Sequence, residues 1–302
     1  MEKSGKHVRR IRKWGPGLLL ISPSLVLLAV FVYGFLGWNF QISLTDWQSL
    51  MPVYSTTGFD NYSNLVADDT WWRDVNHLVI YTVVFVVGAL IVGFVLALLM
   101  EKGVWGEGVL KSVYLFPMAM SFIATAIVWR WLMDNGTGDN TAGLNKLLGS
   151  VGLSFLKGDW HKSDSEFAIA AVAIPAGWAL SGYIMALFLA GMRGVPDELR
   201  EAARVDGATE RQVFWHVVRP LLWPATMSAT VILVHISMKT FDLLYAINPK
   251  DASIETPALY MYRSMGGYLY ARGATIATIL VIAMAVIIVP YIWYTMRSER
   301  RS

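Results

Sequence analysis

The sequence contains no cysteine. That excludes disulfides, thiolate metal sites and a cysteine nucleophile together, and leaves the redox compartment open. Charge is scarce too. Asp, Glu, Lys and Arg make up 16% of the 302 residues, against about 25% in an ordinary soluble domain. No block of like charge reads as a nucleic-acid arm. No G-x-x-x-x-G-K-[ST] segment occurs, so the chain has no phosphate loop with which to hydrolyse ATP. No catalytic constellation and no metal-ligand set stands out. No repeat of about 20–50 residues is visible. The two halves show no clear similarity, which weakens an inverted-repeat secondary transporter.

What the sequence has is apolar length. Hydrophobic residues reach 55%, and six runs approach the ~20 residues that cross a bilayer as a helix. They are 17–38, 78–100, 112–129, 167–192, 220–238 and 274–296, none containing Asp, Glu, Lys or Arg. His235 is the one ionisable side chain of the usual kind within them. Of thirteen Trp, several stand at run ends (Trp38, Trp105, Trp131, Trp293), as in an aromatic belt at the headgroups. The alternative, a large soluble core, fails on run length repeated six times. The expected fold is therefore an all-α integral membrane protein with six transmembrane helices. The basic opening MEKSGKHVRRIRKW looks like a signal peptide, but its apolar run exceeds the usual ~7–15 residues and no A-x-A site follows. It is read as a retained first helix.

Lysine and arginine set the orientation. Six spans put both termini on one side, together with 101–111 and 193–219. That side holds sixteen of the 25 basic residues and nine of the 22 acids. It is read as cytoplasmic. The basic segment 1–16 and the tail 298–302 lie there. The opposite loops, 39–77, 130–166 and 239–273, are longer; one contains the turn-rich DNGTGDNTAGLN. They are either solvated connectors or docking surfaces for an extracytoplasmic partner.

The loop RGVPDELREAARVDGATERQVFWHVVRPLLWP has signals a plain connector lacks. Pro196 suits a first helical turn, and Asp197 and Glu198 favour the positive end of a helix dipole. ELREAARV is a strong helix former. Gly207 suits a helix end needing positive φ. Thr209 and Gln212 form a capping-box pattern opening a second helix. Pro220 and Pro224 limit or kink re-entry into the membrane. The first helix carries Leu199, Ala202, Ala203 and Val205 as an apolar-small face. With five acids and five bases over 193–219, simple attraction to anionic lipid fits less well than a protein socket.

Glu201, Ala202, Ala203, Asp206, Gly207, Val217 and Pro220 resemble the EAA loop of binding-protein-dependent ABC importer permeases. Arg219 departs from the pattern, standing where leucine is usual. LFPMAMSFIATAIVWRWLMDN, GWALSGYIMALFLAGMRGVPDELREAA and FDLLYAI extend the resemblance over about 75–297, to the carbohydrate branch of maltose and glycerol-phosphate importers. The first helix and outer loop, 17–74, match more weakly. The resemblance implies the type I ABC importer transmembrane fold and a non-catalytic subunit in the multi-pass cell membrane of a prokaryote. It implies a coupling helix held by a separate ATPase. Its partners would be a second homologous permease, two cytoplasmic ATPase subunits and an extracytoplasmic sugar-binding protein. ATP and Mg would sit on the ATPase, with no cofactor on this chain. Glycerol phosphate or another polar solute is the alternative cargo; an ion-coupled transporter is a remoter one, lacking acids or bases in the spans.

For the substrate pathway, aromatic faces and hydroxyl-bonding groups are sought where polar groups would face a cavity. GWALSGYIM offers Trp178 and Tyr183, with Gly177, Ser181 and Gly182 expected to weaken a helix that also holds Pro175; in maltose-type relatives this stretch contributes to the sugar site. The competing reading is small residues for helix packing. HISMKTFDLL offers His235, Ser237, Lys239, Thr240 and Asp242, with Lys239 and Asp242 spaced i, i+3 for an ion pair on one helix face. The third and fourth spans look closest to permeases for glucose, mannose or α-glucosides.

Overall fold

Each long apolar run folds as helix, and most of the helices extend into polar sequence at both ends. The structure, a computed structural model, describes residues 17, 19–134, 143–158, 160–162, 167–249 and 252–299. The basic segment 1–16, the final residues of the tail and most of DNGTGDNTAGLN lie outside these. In chain order the helices are α1 (Leu19–Ser43), α2 (Asp60–Val66), α3 (Asp69–Glu101), α4 (Glu107–Ala119), α5 (Phe122–Met133), α6 (Gly143–Ser150), α7 (Phe167–Arg193), α8 (Asp197–Val205), α9 (Glu210–Leu221), α10 (Trp223–Met238), α11 (Asp242–Ile247), α12 (Pro257–Gly266) and α13 (Tyr270–Glu299). Among the described residues the only β pairing is a single bridge between Thr45 and Thr56.

Four helices, α1, α3, α7 and α13, are each long and apolar enough to span a membrane. The other two expected spans are bent pairs. The run 112–129, read as one helix, divides into α4 and α5 at an angle of 98°. Met120 and Ser121 are extended, with ψ of 146° and 149°. The Ser121 hydroxyl accepts from the Ala124 N–H at 3.1 Å, which starts a new helix. The fifth span bends by 56° between α9 and α10. Pro220 has no N–H to give the His216 carbonyl, and its ring crowds that oxygen. The chain accommodates it with a π stretch, Phe214–Val218, just before. Leu222 is then a single turn residue (ψ −5°) between the two helical stretches, and Pro224 sits in the first turn of α10.

The chain forms two compact units, one of residues up to 67 with 261–281, the other of 68–260 with 282–302. In the first, Asn39 donates to Thr278 Oγ1 (3.0 Å) and to the Ala274 carbonyl (3.1 Å), joining α1 to the start of α13. Asn61 donates to the carbonyls of Ser43 and Thr45, satisfying groups that the end of α1 leaves open. The α1 side chains Leu19, Leu20, Phe31 and Tyr33 are exposed, which suits a helix bathed in hydrocarbon.

The core of the second unit is the pairing of α3 with α7. Ala89, Gly93 and Ala97 repeat every four residues on α3 and are buried, the small-residue spacing that lets two membrane helices approach closely. A methyl group on Gly93 would lie 2.6 Å from Ile184 Cγ2 and 2.9 Å from the Met185 nitrogen. A methyl on Gly182 would collide with the Tyr114 carbonyl on α4. Here the structure corrects an expectation: Pro175, Gly177, Ser181 and Gly182 do not weaken α7, which is continuous from Phe167 to Arg193. Gly182 is there to admit α4.

Candidate functional site: a coupling loop and a helix-break cavity

The loop folds as its sequence signals foretell. Pro196 is the residue before the first helical turn rather than within it, with ψ of 133°, and Asp197 and Glu198 open α8. At the other end Ala208 N–H bonds the Ala203 carbonyl and Gly207 N–H bonds the Arg204 carbonyl, both at 3.0 Å. Those two bonds define a Schellman motif with Gly207 as its left-handed residue. Its φ is +83°, and nothing lies within 4 Å of a Cβ built there. Gly207 is thus required by backbone conformation, not by space. Thr209 and Gln212 form the full capping box, with the Thr209 N–H donating to Gln212 Oε1 at 2.8 Å.

No residue of α8 is buried. Glu201, Ala202, Asp206 and Gly207 are exposed and Ala203 is half-buried. Leu199 and Val205 are exposed as well, Val205 at 87%. A charged, strongly amphipathic helix has its apolar side bare. Pro220 is exposed and Val217 half-buried within α9. Arg219, the departure from the family pattern, stacks its guanidinium over the Trp215 ring at 4.8 Å, a cation–π contact one helical turn away that a leucine would not make.

Charged struts hold the loop, and sequence reasoning missed them. Arg200 donates to Glu101 Oε1 at 2.8 Å and to the Met192 carbonyl at 2.6 Å, tying α8 to the ends of α3 and α7. Arg204 makes a two-pronged bond to Glu210 across the glycine corner, at 2.7 and 3.2 Å. That bond, with Glu201 and Asp197 nearby, holds the Arg204 guanidinium above its ordinary range. Arg193 and Lys111 both reach Glu107 at 2.6 Å. Lys111 and Glu107 are an i, i+4 pair, but the arginine–glutamate partners stand six to 99 positions apart, beyond the spacing that reveals pairs in a sequence.

The candidate pathway residues fall in three places. Lys239, Thr240 and Asp242 line a cavity of about 250 Å³ with Phe122, Ile236, Phe241 and Leu243. Lys239 and Asp242 share no helix and make no ion pair, contrary to the spacing argument, because α10 ends at Met238 and α11 begins at Asp242. The cavity therefore lies beside two helix breaks, one at 239–241 and one just before Phe122. Non-helical backbone is tolerated at membrane depth only where it is buried in protein or lines a cavity. Ser237 is buried next to it, accepting from Thr82 Oγ1 at 2.9 Å and donating to the Val234 carbonyl. His235 is half-buried, with its Nδ1 taking no hydrogen bond.

Trp178 lines a separate cavity of about 270 Å³ and meets Trp129 edge to face at 5.8 Å. Tyr183 packs half-buried against the α3–α7 core and lines neither cavity. Phe122 was missed in the sequence, since nothing marks one phenylalanine in an apolar run. The serine before it, as a helix cap, was the available signal.

A multi-pass helical chain with a braced polar handle and a cavity between helix breaks is a membrane permease. Residues 89–302 match the family described as "Binding-protein-dependent transport system inner membrane component", and the chain belongs to that family. It is 35% identical to a probable ABC transporter permease protein of Pyrococcus horikoshii, over 94% of this chain and 97% of the relative. It is 34% identical to the xylose/arabinose import permease of Haloferax volcanii, over 89% of this chain and 84% of that one. A bacterial ABC transporter involved in the import of the acidic polysaccharide alginate shares the fold with a TM-score of 0.74 at 18% identity, covering 98% of this chain and 99% of that one.

Proposed function

We propose that the chain is half of the translocation pathway of an ATP-driven sugar importer in a prokaryotic plasma membrane, with both termini cytoplasmic. The observation that carries this reading is α8: a rigid helix, capped at Gly207 and braced by Arg200 and Arg204, whose apolar side is bare. A connector needs none of that. A lever seated in a separate ATPase needs all of it. Glu201 and Asp206 would face the socket, the Ala202–Ala203 pair would permit close approach, and ATP and Mg would stay on the ATPase. A second homologous permease would complete the pathway and a binding protein would deliver sugar from outside.

The cavity beside Thr240 is the reading's solute contact. Its charges are one Lys239 and one Asp242, which suits a neutral polyol better than a phosphate ester. The xylose/arabinose relative agrees with a sugar cargo. Two experiments test the proposal. Affinity purification of the full chain from its own host should bring down an ATPase, a second permease and a sugar-binding protein; recovery of the chain without an ATPase sinks the coupling role. Thr240→Ala and Phe122→Ala should each weaken sugar uptake up to about tenfold, the scale of one lost hydrogen bond or ring contact. Unchanged uptake kinetics in both would remove this cavity from the pathway.

A further inference from the structure

A further cavity in the second unit lies behind the coupling loop, partly walled by its struts, and is separate from the helix-break cavity. It encloses about 700 Å³ between the end of α3 and the α8–α9 corner. Its wall is apolar, including Leu98, Leu99 and Phe214, and its rim is charged. The rim carries four cations and two acids, but they are not equivalent. Glu101 is taken by Arg200 and Glu210 by Arg204. Lys102 and Arg211 remain, both exposed, and neither forms an ion pair among the described residues. The net positive charge of this cavity therefore rests on two unpaired cations above a greasy wall.

We infer that this cavity seats an anionic phospholipid, its phosphate against Lys102 and Arg211 and its acyl chain along the α3 wall. Basic pockets between membrane helices take acidic headgroups in this way. Depth agrees: Trp105 and Trp215, each within four residues of one of the two cations, are exposed at 98% and 48%, as tryptophans at a headgroup layer are. A soluble anion would leave Leu98 and Leu99 in water, which is why the occupant is a lipid. The mixed charge of the loop had argued against lipid attraction. Pairing removes that objection, because the acids facing the cavity are already satisfied. The two faces of α8 then divide their work: Leu199, Ala202 and Val205 for the socket, Arg200 and Arg204 for the cavity wall.

The lipid's leaflet rests on the cytoplasmic placement proposed above, but the binding measurement does not. Purified full-length chain is titrated with phosphatidylglycerol or phosphatidylcholine and read by native mass spectrometry. Phosphatidylglycerol should be retained preferentially. K102Q/R211Q should weaken that retention about 30-fold, the effect of two cations at an anionic surface. The charge-matched K146Q/K157Q should leave it unchanged. L99W, which fills the wall without altering charge, should weaken it as well, and inorganic phosphate should not compete. Equal retention of both lipids, or a K102Q/R211Q result matching K146Q/K157Q, overturns the proposal. Displacement by inorganic phosphate overturns it in favour of a soluble ligand. ATPase co-purification is a separate readout, so its failure would sink the coupling role and leave the lipid result standing.

Discussion

Gly207→Pro should leave the chain inserted in the membrane and abolish transport. The glycine holds φ at +83°, and proline fixes φ near −65°. The substitution also removes the N–H that bonds the Arg204 carbonyl. The corner between α8 and α9 then opens, and Arg204 and Glu210 part. Gly207→Ala is the graded control. It keeps the N–H and meets no neighbour within 4 Å, so it carries only the cost of left-handed backbone, about 1–2 kcal/mol, and should reduce transport without stopping it. Glu201→Lys acts differently. The helix stays folded, because Glu201 is exposed, but the charge it would offer to the proposed socket is reversed. Uptake should vanish while membrane insertion and thermal stability stay normal. Normal sugar uptake in both Gly207→Pro and Glu201→Lys would show that this loop is a connector after all.

Gly182→Leu should prevent the permease from folding. The site has no room for even one carbon, since the Tyr114 carbonyl occupies it. The neighbour is backbone and cannot rotate away, so α4 must leave α7, at a cost above the about 1–3 kcal/mol of ordinary overpacking. Gly93→Leu should do the same to the α3–α7 pair. Gly177→Ala is the contrast: its Cβ would meet the Ala89 nitrogen at 3.9 Å, an ordinary contact. Size-exclusion profile, protease resistance and melting temperature of the solubilised chain read the difference. A Gly182→Leu variant that melts like the parent would mean that α4 and α7 do not pack as described.

The helix content and the loop were readable in the sequence because their signals are local. Run length marks a membrane helix, a capping box spans four residues, and a positive-φ glycine stands at its own corner. The breaks were harder. Hydropathy does not change across LFPMAMSFIATAIVW, yet the backbone turns by 98°. The turn is set by the Ser121 cap, whose chemistry an apolar run conceals. Lys239 and Asp242 failed for a similar reason: spacing argues a pair only if one helix carries both residues. Trp178 and Tyr183 sit close in sequence, but only tertiary packing decides that one faces a cavity and the other the core. The struts were invisible, because Arg200 and Glu101 meet through the packing of α3 and α7.

The 56° bend between α9 and α10 has a mechanical meaning. The helix that begins at the Thr209 cap and the helix that ends at Met238 form one elbowed rod. Its far arm, the sixteen residues of α10, is about 24 Å long at 1.5 Å per residue. If the loop is the handle proposed above, a small rotation imposed on it would be delivered as a displacement at the Lys239–Phe241 break. The π stretch and Leu222 would then be the joint that sets how much of that torque arrives. Stiffening the elbow would alter the timing of opening at the cavity without touching sugar or ATPase.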